Sequence, residues 1–175
     1  MIDDLRFRDY DPTWPTRFQQ PTTALQDHLP AGVTVEHVGS TAVPGLAAKD
    51  CIDILVVAPG KHLATAQQGL RASGYEERPR SFADDPRRWF WRLVENQERA
   101  AHVHLMLSGH RAAEEMRAVR DLLRSDPQRR EAYQELKASL AATNDHDRPA
   151  YLAGKANFMR RLTRAAIEQG PSLST

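Results

Sequence analysis

A chain of 175 residues is long enough to bury one full hydrophobic core and too short for two independent ones. A formal charge of +1 with 27% charged residues points to no nucleic-acid partner, so any basic patch has to be local. One cysteine excludes an intrachain disulfide and a thiolate metal cluster, and neither a secretory lead nor an apolar run long enough for a bilayer is visible, so the expectation is a cytoplasmic protein without a membrane partner.

In chain order, Asp11 is placed to cap a first helix that tolerates Pro12 and Pro15 in its opening turn. That helix carries Trp14, Phe18 and Leu25 to the core and ends near Pro30 to Gly32. VTVEHV then alternates Val33, Val35 and His37 against Thr34, Glu36 and Val38. After a loop of small residues, CIDILVV reads as a nearly continuous apolar strand, and both runs are expected to be central strands. Cys51 is expected to be a small buried side chain. KHLATAQQGLRASGY is an amphipathic helix with Leu63, Ala66 and Leu70 inward and a stop at Gly74, after which Tyr75 starts a short strand.

RPRSFADDPRR is polar, punctuated by proline and rich in arginine, and is therefore a loop and a candidate for substrate contact. WFWRLVE and AAHVHLML form a hairpin around the charged turn at Asn96 to Arg99. Beyond Gly109 the composition shifts to Ala, Leu, Glu and Arg, which predicts three helices. The division is thus an α/β core over 1–109 and a C-terminal helical extension over 110–170, packed as one unit, with the final GPSLST disordered.

The loop between the two strands presents backbone N–H groups, and Gly39 lets a phosphate approach without an intervening side chain. Ser40 and Thr41 add hydroxyl donors, although Gly, Ser and Thr also build bare turns. Asp53 sits inside an apolar strand, where an ionised carboxylate needs a partner, an opening or a cation. Period-two alternation puts it on a face with Cys51 and Leu55 and turns Asp50 away. On the later strand His102, His104 and Met106 share one face and Val103, Leu105 and Leu107 the other, which puts the aliphatic side in the core and turns the histidines outward. Two imidazoles two residues apart can bind one metal or divide metal binding and proton transfer. If the three strands are neighbours, His37, Asp53, His102 and His104 converge near the loop. Arg117, Arg120 and Arg124 fall at helical spacing and Lys137 and Lys155 follow, which reads as a solvated face from which a few groups can reach over the sheet to phosphates.

These residues resemble a known family. EHVGSTAVPGLAAKDCIDILVV is similar to the signature segment of the GrpB family (UPF0157), and HVHLM, VRDLLRSDP, AYQELK and YLAGKANFM follow in the family's order, over roughly residues 9 to 162. The resemblance implies a nucleotidyltransferase-like fold: a mixed β-sheet with flanking helices and a C-terminal helical cap. In that fold a Gly-Ser loop binds phosphate and carboxylates on the next strand bind magnesium, and members occur alone or fused after dephospho-CoA kinase. A working strand of this kind carries Asp-x-Asp, whereas here Cys51 and Leu55 flank Asp53 and the later strand offers His102 and His104.

The reading is therefore a nucleotidyltransferase-like enzyme acting on a nucleotide or another phosphorylated small molecule, or a nucleotide-binding or regulatory module without catalysis. Asp53, His37, His102 and His104 are the catalytic candidates, and Gly39, Ser40, Thr41, Lys49, Arg120, Lys137 and Lys155 the phosphate-binding ones. Asp53, His102 and His104 are the candidate ligands of a divalent metal, whether magnesium, manganese or zinc.

Overall fold

The computed structural model describes residues 7–82, 84–144 and 147–169, so the expected disorder of GPSLST lies outside the described residues. Helix α1 runs from Trp14 to Gln26. Its N-cap is Thr13 rather than Asp11, because Asp11 Oδ1 accepts from the Thr13 N–H at 2.8 Å and from its hydroxyl at 2.7 Å and so shapes the turn before the helix. Strands β1 (Thr34–Val38) and β2 (Ile52–Ala58) flank the small-residue loop, and α2 spans Leu63–Ala72. At its end the Tyr75 N–H reaches Leu70 O at 3.0 Å across Gly74, whose φ of 83° closes the left-handed cap that stops the helix.

β3 is only Glu76–Glu77, while β4 (Arg88–Glu95) and β5 (Glu98–Leu107) form the expected hairpin. Asn96 and Gln97 connect them with φ of 49° and 66°, the two left-handed residues that a tight hairpin turn requires. Three helices follow: α3 (Arg111–Ser125), α4 (Pro127–Thr143) and α5 (Arg148–Gln169). Asp126 ends one and begins the next, its carboxylate accepting from the Arg129 N–H at 3.0 Å with Pro127 in the first turn.

The five strands lie in the order β1-β2-β5-β4-β3, with β2 and β5 parallel and the other pairs antiparallel. β2 is central as expected, but β1 is an edge strand. Helices α1 and α2 cover one face through Trp14, Leu25, Ala66 and Leu70, packed on Ile54, Val56, Val103 and Leu105. The C-terminal helices cover the other, where Ala113 meets Val38, Leu55 and Met106. With both faces covered, the histidines of β5 do not look outward: the side chains of His102 and His104 are 16% and 13% exposed beneath the helical layer.

The arginines of α3 are not a solvated face either. Arg117 and Arg120 grip the Glu36 carboxylate of β1 from above, and Arg124 Nε donates to Ala42 O at 2.8 Å. Asp50, just before β2, accepts from Trp14 Nε1 at 3.1 Å and from Arg8 and Arg17. Burial would raise its pKa, but these hydrogen bonds and the Arg17 and Arg8 charges outweigh it and hold the carboxyl below its usual value of 3.8. Asp50→Asn is expected to lose about 1–3 kcal/mol of stability, because it removes the charge and one of the two acceptor oxygens shared by Arg8, Arg17 and Trp14. A depressed carboxyl stabilises above its unfolded pKa and loses that contribution as pH falls through the folded one. Urea titrations should therefore show the gap to wild type at pH 7 narrowing as the pH is lowered below the usual carboxylate range; a gap that stays constant would disprove this role.

Candidate functional site

Val38 pairs with Asp53, and Asp53 with His102, so these side chains share the sheet face beneath the C-terminal helices. His104 follows two residues along on the same face. Phe90 of β4 lies tilted against both imidazoles, at 5.0 and 5.1 Å between ring centroids. The Asp53 Oδ1 atom stands 3.5 Å from His102 Nδ1 and 4.0 Å from His104 Nε2. Burial pushes the Asp53 pKa up, but the hydrogen bond from His102 and the positive charge around it, that of Lys155 included, hold it below the ordinary carboxylate value. Asp53 is therefore an anion at neutral pH.

His37 does not join this group. Its register partner is Ile54, which puts it on the opposite face, where its ring stacks on Phe18 of α1 at 4.7 Å. Burial depresses its pKa to about 4, and its Nε2 lies 2.9 Å from Thr41 Oγ1. Thr41 is itself only 2% exposed, so the pair props the loop from behind. The four-residue convergence expected from the sequence thus reduces to Asp53, His102 and His104, because one step along a strand reverses the side chain.

The loop itself is a short helical turn over Ser40–Ala42, whose first N–H groups have no partner within it. Gly39 enters it at φ 74° and ψ −170°, a conformation open in practice to glycine alone. A Cβ there would lie 2.8 Å from Asp53 Cβ and closer still to its carboxylate oxygen. Loop and carboxylate are thus in direct contact, and α3 ties the loop's carbonyl side through Arg120 to His37 O and Arg124 to Ala42 O.

From α4, Gln134 accepts from the Ala47 N–H at 2.9 Å, and Lys137 donates to Ala47 O. The Lys137 Nζ is 3.4 Å from Ser40 Oγ and stands over the rings of Tyr133 and Phe7 at 4.7 and 5.4 Å. Lys137 is 2% exposed, and burial, with the neighbouring Lys155 charge, lowers its pKa from 10.5 to about 7. Lys155 of α5 lies over Tyr151 at 5.6 Å and Lys49 over the same ring at 6.0 Å.

Two spaces open at this point. One of about 200 Å3 is lined by Lys49, Lys137, Lys155, Ser40, Asp53 and His102, with Phe7 and Tyr151 as walls. Cys51 borders it, half-buried rather than in the core, with burial pushing its thiol pKa up. The other, of about 300 Å3, shares Ser40, Asp53, Tyr133 and Lys155 and extends along Arg88, Arg120 and the apolar side chains of α3 and α5. Of the phosphate candidates, Ser40, Thr41, Lys49, Lys137 and Lys155 line the lysine space together; Gly39 and Arg120 border the larger one, where the Arg120 guanidinium is held by Glu36, Asp121 and His37 O.

Arg88, Tyr133 and Phe90 were not foreseen from the sequence. Among the described residues of the arginine-rich loop region, Arg88 is the one that borders the cavity: its guanidinium lies 3.5 Å from the Phe82 ring centroid, and it donates to His104 Nδ1 at 3.3 Å. The signal for it was available, since Arg88 and Phe90 alternate onto the face that carries His104. The rest of that loop is closed by His110 and Asp85, whose Nε2 and Oδ2 atoms are 2.8 Å apart.

In this arrangement His104 offers no lone pair to a metal beside Asp53. Arg88 can only donate, so it takes the lone pair of His104 Nδ1 and leaves the hydrogen on Nε2, the nitrogen that faces Asp53. Burial depresses the His104 pKa to about 4, which keeps that ring neutral. Among the described residues no group of three His, Cys, Asp or Glu side chains is arranged to hold a metal ion.

The family model described as GrpB protein matches residues 4–165. A UPF0157 protein of Pseudomonas aeruginosa is 35% identical over 90% of this chain and 65% of its own length, so the chain spans just under two thirds of that relative. A UPF0157 protein of Streptomyces coelicolor is 36% identical over 89% of this chain and 81% of that one. A dephospho-CoA kinase of Mycolicibacterium paratuberculosis is 31% identical over 93% of this chain and 46% of the kinase. The crystal structure of the conserved protein GrpB from Enterococcus faecalis superposes with a TM-score of 0.83 at 28% identity, covering 94% of this chain and 98% of that one. The Cid1 poly(U) polymerase with Mg 3′-dATP bound shares the nucleotidyltransferase-like fold at a TM-score of 0.56 and 12% identity, over 85% of this chain and 49% of the polymerase. No described helix is long and apolar enough to cross a membrane.

Proposed function

The chain belongs to the GrpB protein family, and from that premise we propose that it holds a nucleotide or another phosphorylated small molecule between the Gly39-Ser40-Thr41 loop and the lysines of the helical layer. The observation that carries this reading is the meeting of three lysines from separate parts of the chain, Lys49 before β2, Lys137 of α4 and Lys155 of α5, around Ser40 and Asp53 in one space. Lysines from remote points of the chain repel one another there, and a polyanion is the ligand that turns that repulsion into attraction.

The chemistry this pocket supports is transfer of the phosphorus centre to a hydroxyl. Asp53 accepts the hydroxyl proton as its oxygen bonds to phosphorus, the bond to the leaving phosphate breaks, and Lys137 and Lys155 meet the charge left on that group. The neutral His104 and the adjacent His102 hold Asp53 in place. A second reading rests on the flanks of Asp53: Cys51 and Leu55 stand where a second carboxylate would assist, which favours a module that binds the ligand and does not turn it over.

Thermal shift of the metal-stripped chain with nucleotides and phosphorylated metabolites tests the binding. The expected result is a raised melting temperature without added divalent cation, reduced by Ser40→Ala. Turnover that drops about 10²- to 10⁴-fold in Asp53→Asn while binding persists supports the transfer role; binding with no turnover in wild type supports the module. A shift with no phosphorylated compound would refute both.

A further inference from the structure

The larger space over Asp53 is built differently from the lysine-lined one. Met116, Val119 and Leu123 of α3 and Met159 of α5 wall about 300 Å3, and the polar groups it shares with the smaller space lie at one end. Three further charged side chains border it, and each already has a partner in the protein. Arg120 is bound to Glu36 and Asp121, Arg88 to the Phe82 ring and His104, and Glu115 to Arg111 Nε at 2.7 Å. What remains for a ligand on that wall is thioether and methyl surface with one hydroxyl, that of Thr163.

Resting on the phosphate reading above, we propose that this wall is the subsite for the body of the ligand, and that the body is aliphatic or otherwise apolar. The molecule the two spaces fit is a phosphate ester whose anionic end lies among Lys49, Lys137 and Lys155 and whose carbon skeleton runs past Ser40 and Asp53 onto Met116, Val119 and Met159. A sugar-rich body would leave most of its hydroxyls unpaired there, since Thr163 is one hydroxyl against five apolar side chains, which disfavours it. Methionines suit such a wall because their unbranched side chains adapt to the shape that enters.

Calorimetric titration of the full chain with inorganic phosphate and with straight-chain alkyl phosphates from methyl to hexyl tests this. Affinity is expected to rise about fourfold per added methylene until the wall is covered. Val119→Thr, which keeps the volume, and Met159→Gln should each flatten that slope to less than about twofold per methylene while inorganic phosphate binds as in wild type, since neither residue borders the lysine space. Both are half-buried, and a melting curve confirms that each is folded. Inorganic phosphate binding with a flat series, or a slope that survives in both variants, overturns this inference and leaves the phosphate reading standing. Binding of neither phosphate nor its esters overturns both.

Discussion

Gly39→Ala is expected to lower the melting temperature by about 6–12 °C. Two effects combine: the backbone at φ 74° and ψ −170° resists any side chain, and the new methyl would meet Asp53. Backbone strain and overpacking are each of order 1–3 kcal/mol, so about 3 kcal/mol in total is reasonable, and a domain of this size shifts by about 2–4 °C per kcal/mol. Gly45→Ala is the control. Its φ is 78°, but a Cβ there meets only Arg130 Nε at 3.8 Å, so it should lose only the backbone part. Adding Asp53→Gly to Gly39→Ala removes the clash and should recover roughly the packing half of the loss. Equal losses for the two single variants would show that contact with Asp53 does not matter.

Lys137→Met is expected to move stability and binding in opposite directions. At neutral pH the variant should be about 1–3 kcal/mol more stable, since methionine fills the same space without burying an ammonium. Anion affinity should fall about ten- to a hundredfold with the loss of a charge-assisted hydrogen bond. The pH dependence separates this from a packing effect. The folded pKa is about 7 against an ordinary 10.5, so between those values the unfolded chain binds more protons and wild-type stability rises with pH. The advantage of the variant is therefore full below about pH 7 and fades toward pH 10.5. Sulfate, which does not titrate in this range, should bind wild type more weakly as pH rises through about 7, because binding then has to recruit a proton. Denaturant titrations from pH 6 to 10 read the first effect and calorimetry the second; a constant advantage across that range would mean that Lys137 is charged throughout.

The strands, the hairpin, the three C-terminal helices and the small-residue loop that holds Gly39 were all legible along the chain, since they depend on spacing and on local backbone preference. Asp53, His102 and His104 could be assigned to faces for the same reason. Their meeting could not, because it required β2 and β5 to pair in parallel with Asp53 opposite His102, and strand order is a property of the whole sheet. His37 shows the limit sharply. It sits two residues from Gly39, yet the antiparallel register of β1 turns it to the α1 face.

The arginines of α3 failed for a related reason. Their helical spacing is the same whether the stripe meets water or Glu36, and only the docking of α3 beside β1 decides which. The depressed pKa of Lys137 is likewise invisible in AYQELK, because it comes from burial beside Tyr133 and Phe7 and from the charge of Lys155, and Phe7 and Lys155 are far away in sequence. The amino-acid sequence by itself determined the elements, the faces of each strand and the family resemblance, all of which rest on short-range periodicity and local motif. Tertiary structure alone decided which charged groups are spent on one another and which are left around Ser40 and Asp53, because pairing and desolvation depend on neighbours that the chain brings together only when it folds.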